Sequence, residues 1–150
     1  ADLDAAGKMI KGEELRAQTS EPLSRRLTLP APFQESLGAA EIAKKARASV
    51  MKVGWSYLCH RCGDWHLNLA GGYAITTDGA IATCAHVLKA PDMKKGGMIA
   101  VDYEGNVFPI TAVLAHDSRM DAAIVQVDQT LSIGIFPPPK GAVVVNLPGI

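Results

Sequence analysis

From Ser49 onward the chain alternates short apolar segments with glycine-containing turns, and this rhythm restricts the fold more than any other feature. Strands are predicted at Val50 to Tyr57, Gly72 to Thr76, Ala80 to Thr83, Met98 to Tyr103, Val107 to Leu114, Ala122 to Val127 and Ala142 to Leu147. Asp78-Gly79 between the second and third is a two-residue hairpin signal, because both residue types tolerate the positive φ that a tight hairpin needs. Glu104-Gly105-Asn106 marks a second hairpin, and Ala122 to Val127 reads as apolar on both faces. Six or seven short strands joined this way predict an all-β barrel or sandwich. With 48 % apolar residues, a chain of 150 residues can bury the core of one domain.

Residues 1–35 have a different composition. Lys, Glu, Arg, Ser and Pro dominate, Pro30-Ala31-Pro32 reads as an extended linker, and apolar spacing from Leu3 to Ala17 is too poor for a firm helix. A flexible or loosely docked arm is predicted there. Ser36 to Ala48 is a better helix, with Ser36 as its cap, Ile42, Ala43 and Ala46 on one narrow apolar face, and Lys44, Lys45 and Arg47 toward the end where the helix dipole favours cations.

Charge narrows the partners. Fifteen basic and fifteen acidic side chains balance, which excludes nucleic-acid binding driven by bulk electrostatics. No apolar run approaches the roughly 20 residues that span a bilayer, so no transmembrane segment is predicted. Ala1-Asp2-Leu3-Asp4 lacks the basic and apolar pattern of a secretory leader, and a start at Ala suits a processed form or a fragment. Three cysteines are too few for a disulfide scaffold.

Two stretches carry residues suited to chemistry. In the first, Gly71-Gly72-Tyr73-Ala74-Ile75-Thr76-Thr77-Asp78-Gly79-Ala80-Ile81-Ala82-Thr83-Cys84-Ala85-His86-Val87-Leu88, a tight hairpin runs out into a histidine. In the second, His116-Asp117-Ser118-Arg119-Met120-Asp121-Ala122-Ala123-Ile124-Val125-Gln126-Val127, a polar loop ends in an aspartate that opens an apolar strand. A histidine titrating near pH 6.5 can accept a proton and return it, and a carboxylate at its other ring nitrogen fixes the tautomer.

Both stretches resemble the trypsin-like serine peptidase family, above all its bacterial HtrA/DegP-type branch, which has Asp-Gly before Thr-Asn-Ala-His-Val and, later, Asp-x-x-x-Asp-Leu-Ala-Val-Leu-x-Val. The likeness covers about Ile42 to Gly149, including Val143-Val144-Val145-Asn146-Leu147-Pro148-Gly149. It implies the N-terminal Greek-key barrel of a chymotrypsin-fold double barrel over residues 36–150, a polypeptide substrate, and a periplasmic or secreted location. It also implies catalytic roles for His86 as general base and Asp121 as the carboxylate that orients it, with no cofactor needed for catalysis. An intact enzyme of this kind hydrolyses peptide bonds through an acyl-enzyme.

The chain departs from the family at the nucleophile. The family places its serine in Gly-x-Ser-Gly-Gly well after the Asp, and no such motif exists here. All serines except Ser132 precede Asp121, and Leu131-Ser132-Ile133-Gly134 lacks the glycines of an oxyanion turn. A fragment whose missing C-terminal barrel carries the nucleophile is the expected account, and this chain alone is expected to be inactive. Cys84, two residues before His86, reads as a small buried hydrophobe rather than a nucleophile.

Cys59-His60-Arg61-Cys62-Gly63-Asp64-Trp65-His66 is a separate feature. Its Cys-x-x-Cys spacing suits a structural zinc held by Cys59, Cys62 and His66, with His60 as another candidate, but equally a local disulfide or two free thiols. An alternative to the peptidase follows from it: a non-catalytic protein-interaction module on the same barrel scaffold, stapled by zinc. Trp55, Tyr57 and Trp65 are assigned to packing, Lys89 to Gly97 to a solvated loop, and Pro137-Pro138-Pro139 to a spacer between strands.

Overall fold

The computed structural model describes residues 10, 14–15, 19, 24–31 and 36–131. Its elements are a short helix α1 (Ala39–Ala46), a 3-10 turn η1 (Arg47–Ser49), strands β1 (Val50–Cys59), β2 (Trp65–Ala74) and β3 (Ala80–Thr83), a second 3-10 turn η2 (Ala85–Leu88), and strands β4 (Met93–Asp102), β5 (Val107–Asp117) and β6 (Ala122–Val127). All pairings are antiparallel, and the strands close into a six-stranded barrel in the order β1-β2-β3-β6-β5-β4, with β4 returning to β1. Strands β4, β5 and β6 follow one another while β3 lies beside β6, which is a Greek-key arrangement. Its long connection, β3 to β4, carries His86. The predicted all-β barrel preceded by a short helix is therefore the fold.

The inward face of the barrel is set by period-two alternation. Along β6, Ala123, Val125 and Val127 are buried while Ala122, Ile124 and Gln126 are less so, so this strand alternates instead of burying both faces. Val53, Trp55, Ile81, Met98, Ile110 and Val125 fill the interior. Each such side chain contributes on the order of 1.5–3 kcal/mol by leaving water. Ile124 instead faces a smaller cluster outside the barrel with Ile75, Ala80 and Leu114, against which Leu27 packs. Among the described residues of the expected arm, Ile10 and Leu15 are buried in the main core, and the Ile10 N–H donates to the Ile110 carbonyl at 2.9 Å.

The chain reverses at both predicted places, but the first turn is not the two-residue Asp78-Gly79 hairpin expected: it runs from Thr76 to Gly79, and of that pair only Gly79 has positive φ. In that turn the Gly79 N–H donates to the Thr76 carbonyl at 3.3 Å and the Thr76 hydroxyl donates to the Asp78 carboxylate. The Ala80 N–H in turn donates to Thr76 Oγ1 at 3.0 Å, which satisfies this buried hydroxyl. Gly79 adopts φ +105° with its Cα hydrogen facing the end of β6. In the second turn the Asp102 carboxylate accepts the N–H groups of Glu104 (3.0 Å) and Asn106 (2.8 Å) and the Asn106 side-chain amide (2.9 Å).

Several boundaries differ from prediction. The helix starts at Ala39 with Gly38, not Ser36, at its N-cap, and it buries no residue; Ile42 is exposed. β2 begins at Trp65 and stops at Ala74, and β4 begins at Met93, so only the first part of Lys89 to Gly97 is loop. These longer strands rest on β1: its ladder with β2 runs from Val50↔Tyr73 to Leu58↔Trp65, and its ladder with β4 reaches Cys59↔Met93. β2 pairs with β3 only from Gly72, and β4 pairs with β5 only from Ile99. The outer halves of β2 and β4 thus flank β1 in a three-stranded extension. Trp65 is exposed there, with Lys95 Nζ 5.6 Å from its ring centre, so it is not a core residue. The predicted strand Ala142 to Leu147, the Pro137-Pro138-Pro139 spacer and Ser132 lie outside the described residues.

Candidate active site

Strand register brings the two candidate stretches together. Thr83, the last residue of β3, pairs with Ala123 near the start of β6. In an antiparallel pair one strand leaves the sheet where its neighbour enters, so the residues just after Thr83 and just before Ala123 meet at one end of the barrel.

His86 reaches that end through η2. Thr83 Oγ1 donates to the Gly71 carbonyl at 2.8 Å as the chain leaves β3. Val87 and Leu88 then enter the core, which leaves His86 on the outer side. The buried Trp55 indole N–H donates to the Val87 carbonyl at 2.8 Å and ties this turn to β1. A buried indole N–H needs such a partner, so the contact satisfies the core and fixes the backbone beside His86.

Asp121 ends the turn between β5 and β6. The Asp117 carboxylate shapes that turn by accepting the N–H groups of Arg119 (2.9 Å) and Met120 (3.3 Å). These contacts, the Arg119 backbone bond foremost, hold the Asp117 carboxyl below its ordinary pKa. Asp121 itself adopts φ +51°, the only positive φ at a non-glycine position among the described residues. Asp is one of the few side chains that tolerates this left-handed region.

In that conformation the Asp121 carboxylate holds His86 twice. Oδ2 lies 2.7 Å from His86 Nδ1, and Oδ1 accepts the backbone N–H of His86 at 2.8 Å. An ionised carboxylate only accepts, so Nδ1 carries the proton and Nε2 of a neutral ring presents a lone pair. The His86 side-chain bond, followed by its backbone N–H, lowers the Asp121 pKa below the ordinary value. The two side chains are 70 % and 50 % exposed, so the pair lies on an open rim. An ion pair this exposed adds little to stability. Its geometry, a ring held by a carboxylate at Nδ1 with Nε2 left as the acceptor, is suited to taking a proton from a nucleophile placed at Nε2.

Cys84 Sγ lies 3.6 Å from His86 Nε2. Cys84 is half-buried and packs against the main core, so it is less buried than the small buried hydrophobe predicted. Neither this contact, the Trp55–Val87 bond nor the backbone N–H of His86 as an Asp121 donor is predicted from sequence. The Asp in a turn was the one available signal for the left-handed conformation.

The other candidate set also comes together. Cys59, Cys62 and His66 place their ligand atoms within 4.8 Å of one another, a group that can hold a metal ion. The two cysteines are unbridged. His60, the further candidate, points elsewhere and pairs with Asp92 at 2.7 Å. No helix among the described residues is long and apolar enough to cross a membrane. Comparison with known protein families and with curated proteins finds no match to this chain.

Proposed function

We propose that this barrel is the His/Asp-bearing half of a trypsin-like serine endopeptidase. The observation that carries the reading is the double hold of Asp121 on His86, through Nδ1 and through the backbone N–H. A surface histidine needs neither contact for folding, whereas a general base needs both a fixed ring and a fixed tautomer.

In the complete enzyme a serine hydroxyl from the second barrel attacks the scissile carbonyl while its proton passes to His86 Nε2. The resulting imidazolium is stabilised by Asp121 and gives that proton to the leaving amine. Water, deprotonated by the same nitrogen, then releases the acyl group and restores the serine. No cofactor enters these steps. The exposure of the His86–Asp121 rim suits a surface that a second barrel covers, since a triad aspartate is normally buried.

The test is expression of the longer reading frame followed by a serine-directed phosphonate. Labelling of a serine in a Gly-x-Ser-Gly-Gly segment, lost on His86→Ala, is the expected result. A continuing chain that contains such a segment, folds and does not label removes the peptidase reading. The second reading, an interaction module with a structural zinc, is favoured by the gathering of Cys59, Cys62 and His66. It leaves the His86–Asp121 geometry without a role, and it gains if the natural chain continues without a glycine-flanked serine.

A further inference from the structure

The β1–β2 turn gathers three groups that peptide hydrolysis does not use. Cys59 ends β1, Cys62 lies in the turn, and His66 is the second residue of β2. The turn holds a definite shape: the Cys59 N–H donates to the Asp64 carbonyl at 2.9 Å, and the Gly63 N–H donates to the Cys59 carbonyl at 3.2 Å. Gly63, directly after Cys62, has φ +74°, a conformation that lets the chain reverse there without a Cβ clash.

Three contacts suit this turn to a cation. The Arg61 N–H points at Cys59 Sγ from 3.3 Å, and a backbone donor aimed at sulfur stabilises the negative charge of a metal-bound thiolate. Cys62 Sγ lies 2.9 Å from His66 Nε2, so these two atoms already converge. Tyr57, the cross-strand partner of His66, stacks on its ring with centroids 5.5 Å apart and holds the ring's orientation.

We propose that Cys59 Sγ, Cys62 Sγ and His66 Nε2 bind one zinc ion, leaving its fourth position to water or an exogenous donor. Two thiolates and an imidazole form the borderline-soft set that selects zinc over calcium or magnesium. Ligand atoms around a tetrahedral zinc stand about 3.5–3.8 Å apart. The ligand atoms already lie within 4.8 Å of one another, and Cys62 and His66 are exposed, which leaves their side chains room to adjust toward that spacing. Among the described residues no other His, Cys, Asp or Glu joins the group, which makes the site a three-ligand one. Each thiol releases its proton to solvent on binding, so the two thiolates neutralise the dication. The ion joins the end of β1, the turn and the start of β2, pinning the outer extension. This inference stands on the cluster and is independent of the peptidase reading.

Cobalt substitution tests it. The reduced, chelator-treated 150-residue chain is titrated with Co2+ and then with Zn2+. Visible bands of tetrahedral cobalt–thiolate coordination are expected, displaced by one equivalent of zinc, and shifted by added imidazole at the fourth position. Cys62→Ser and His66→Gln are each expected to weaken cobalt binding by more than the roughly 10–100-fold that loss of an outer-shell partner costs. Both positions are exposed, and far-UV circular dichroism verifies that each variant is folded. Absence of the bands in the reduced chain, their survival in folded Cys62→Ser, or a Cys59–Cys62 disulfide in the protein as isolated overturns the site. Bands that ignore imidazole overturn its open position.

Discussion

Thr83 and Ala123 face each other across the β3–β6 ladder, and this one pairing delivers an imidazole and a carboxylate from distant parts of the chain to the same barrel end. The ladder alone leaves both side chains free to turn away. The left-handed backbone of Asp121 and the anchoring of Val87 and Leu88 supply the remaining aim.

Asp121→Asn tests the tautomer directly. Asn keeps the size and the tolerance of the left-handed region, but its amide can present a donor to Nδ1. The His86 ring is then expected to carry its proton on Nε2, which nitrogen-15 chemical shifts report in this chain without any substrate. In the serine peptidase proposed above, kcat is expected to fall on the order of 10⁴-fold, the loss seen when a triad loses its correct tautomer. A fall in Tm without a tautomer change is the result that contradicts this account.

Acid should weaken the same contact in a defined direction. The Asp121 pKa in the folded state is lowered, first by the His86 side chain and then by its backbone N–H, from an ordinary value of 3.8. The unfolded chain therefore binds more protons between the two values. The stability from this group is fully present above 3.8 and is lost as pH falls through the lower folded pKa. Carboxyl carbon NMR should place the Asp121 titration below that of a free aspartate. In His86→Ala it should move back toward the ordinary value without reaching it, since the backbone N–H remains at position 86.

Much of this arrangement is legible in the sequence because it rests on local chemistry. Asp78-Gly79 and Glu104-Gly105-Asn106 mark their turns, and the apolar run from Ala122 to Val127 specifies β6 to the residue. The outer halves of β2 and β4 carry no such local signal. Trp65, Leu67 and Leu69 do alternate with His66 and Asn68, but Trp65 and Leu67 face outward, exposed, so the pattern does not mark a core strand. Met93-Lys94-Lys95-Gly96-Gly97 has no apolar period at all, and it is a strand because β1 supplies a partner. The same dependence hides part of the metal cluster: Cys-x-x-Cys is visible as spacing, but only the Tyr57↔His66 register shows how His66 is held. The His86–Asp121 pair is legible as two motifs, while the second hold through the His86 backbone depends on a left-handed φ that an Asp in a turn permits but does not specify.

Trp55→Phe should separate packing from hydrogen bonding at the turn that carries His86. Phe keeps most of the buried ring but removes the indole N–H that satisfies the Val87 carbonyl. The expected loss is about 1–3 kcal/mol, the cost of a buried polar group left without its partner. Urea denaturation measures that loss. Faster amide exchange at Val87 to Lys89, with exchange in β5 and β6 unchanged once corrected for global stability, would show that the bond holds η2 in particular.

Two glycine substitutions distinguish a required backbone shape from a merely small side chain. A Cβ at Gly79 would lie 2.1 Å from the Val127 carbonyl oxygen, and the residue has φ +105°. The Gly79 carbonyl also accepts the Val127 N–H at 2.9 Å, so the clash cannot be relieved without moving the end of β6. Gly79→Ala should therefore cost at least the roughly 1–3 kcal/mol typical of an overpacked site, with the left-handed backbone adding to it. At Gly71 a Cβ meets nothing within 4 Å, and the backbone is not left-handed. Gly71→Ala should change stability by no more than about 0.5 kcal/mol. Urea midpoints for the two variants, measured side by side with the m-values compared, decide the matter. Equal midpoints would mean that the β2–β3 turn is not clamped by β6, and the register that delivers His86 to Asp121 would then need another origin.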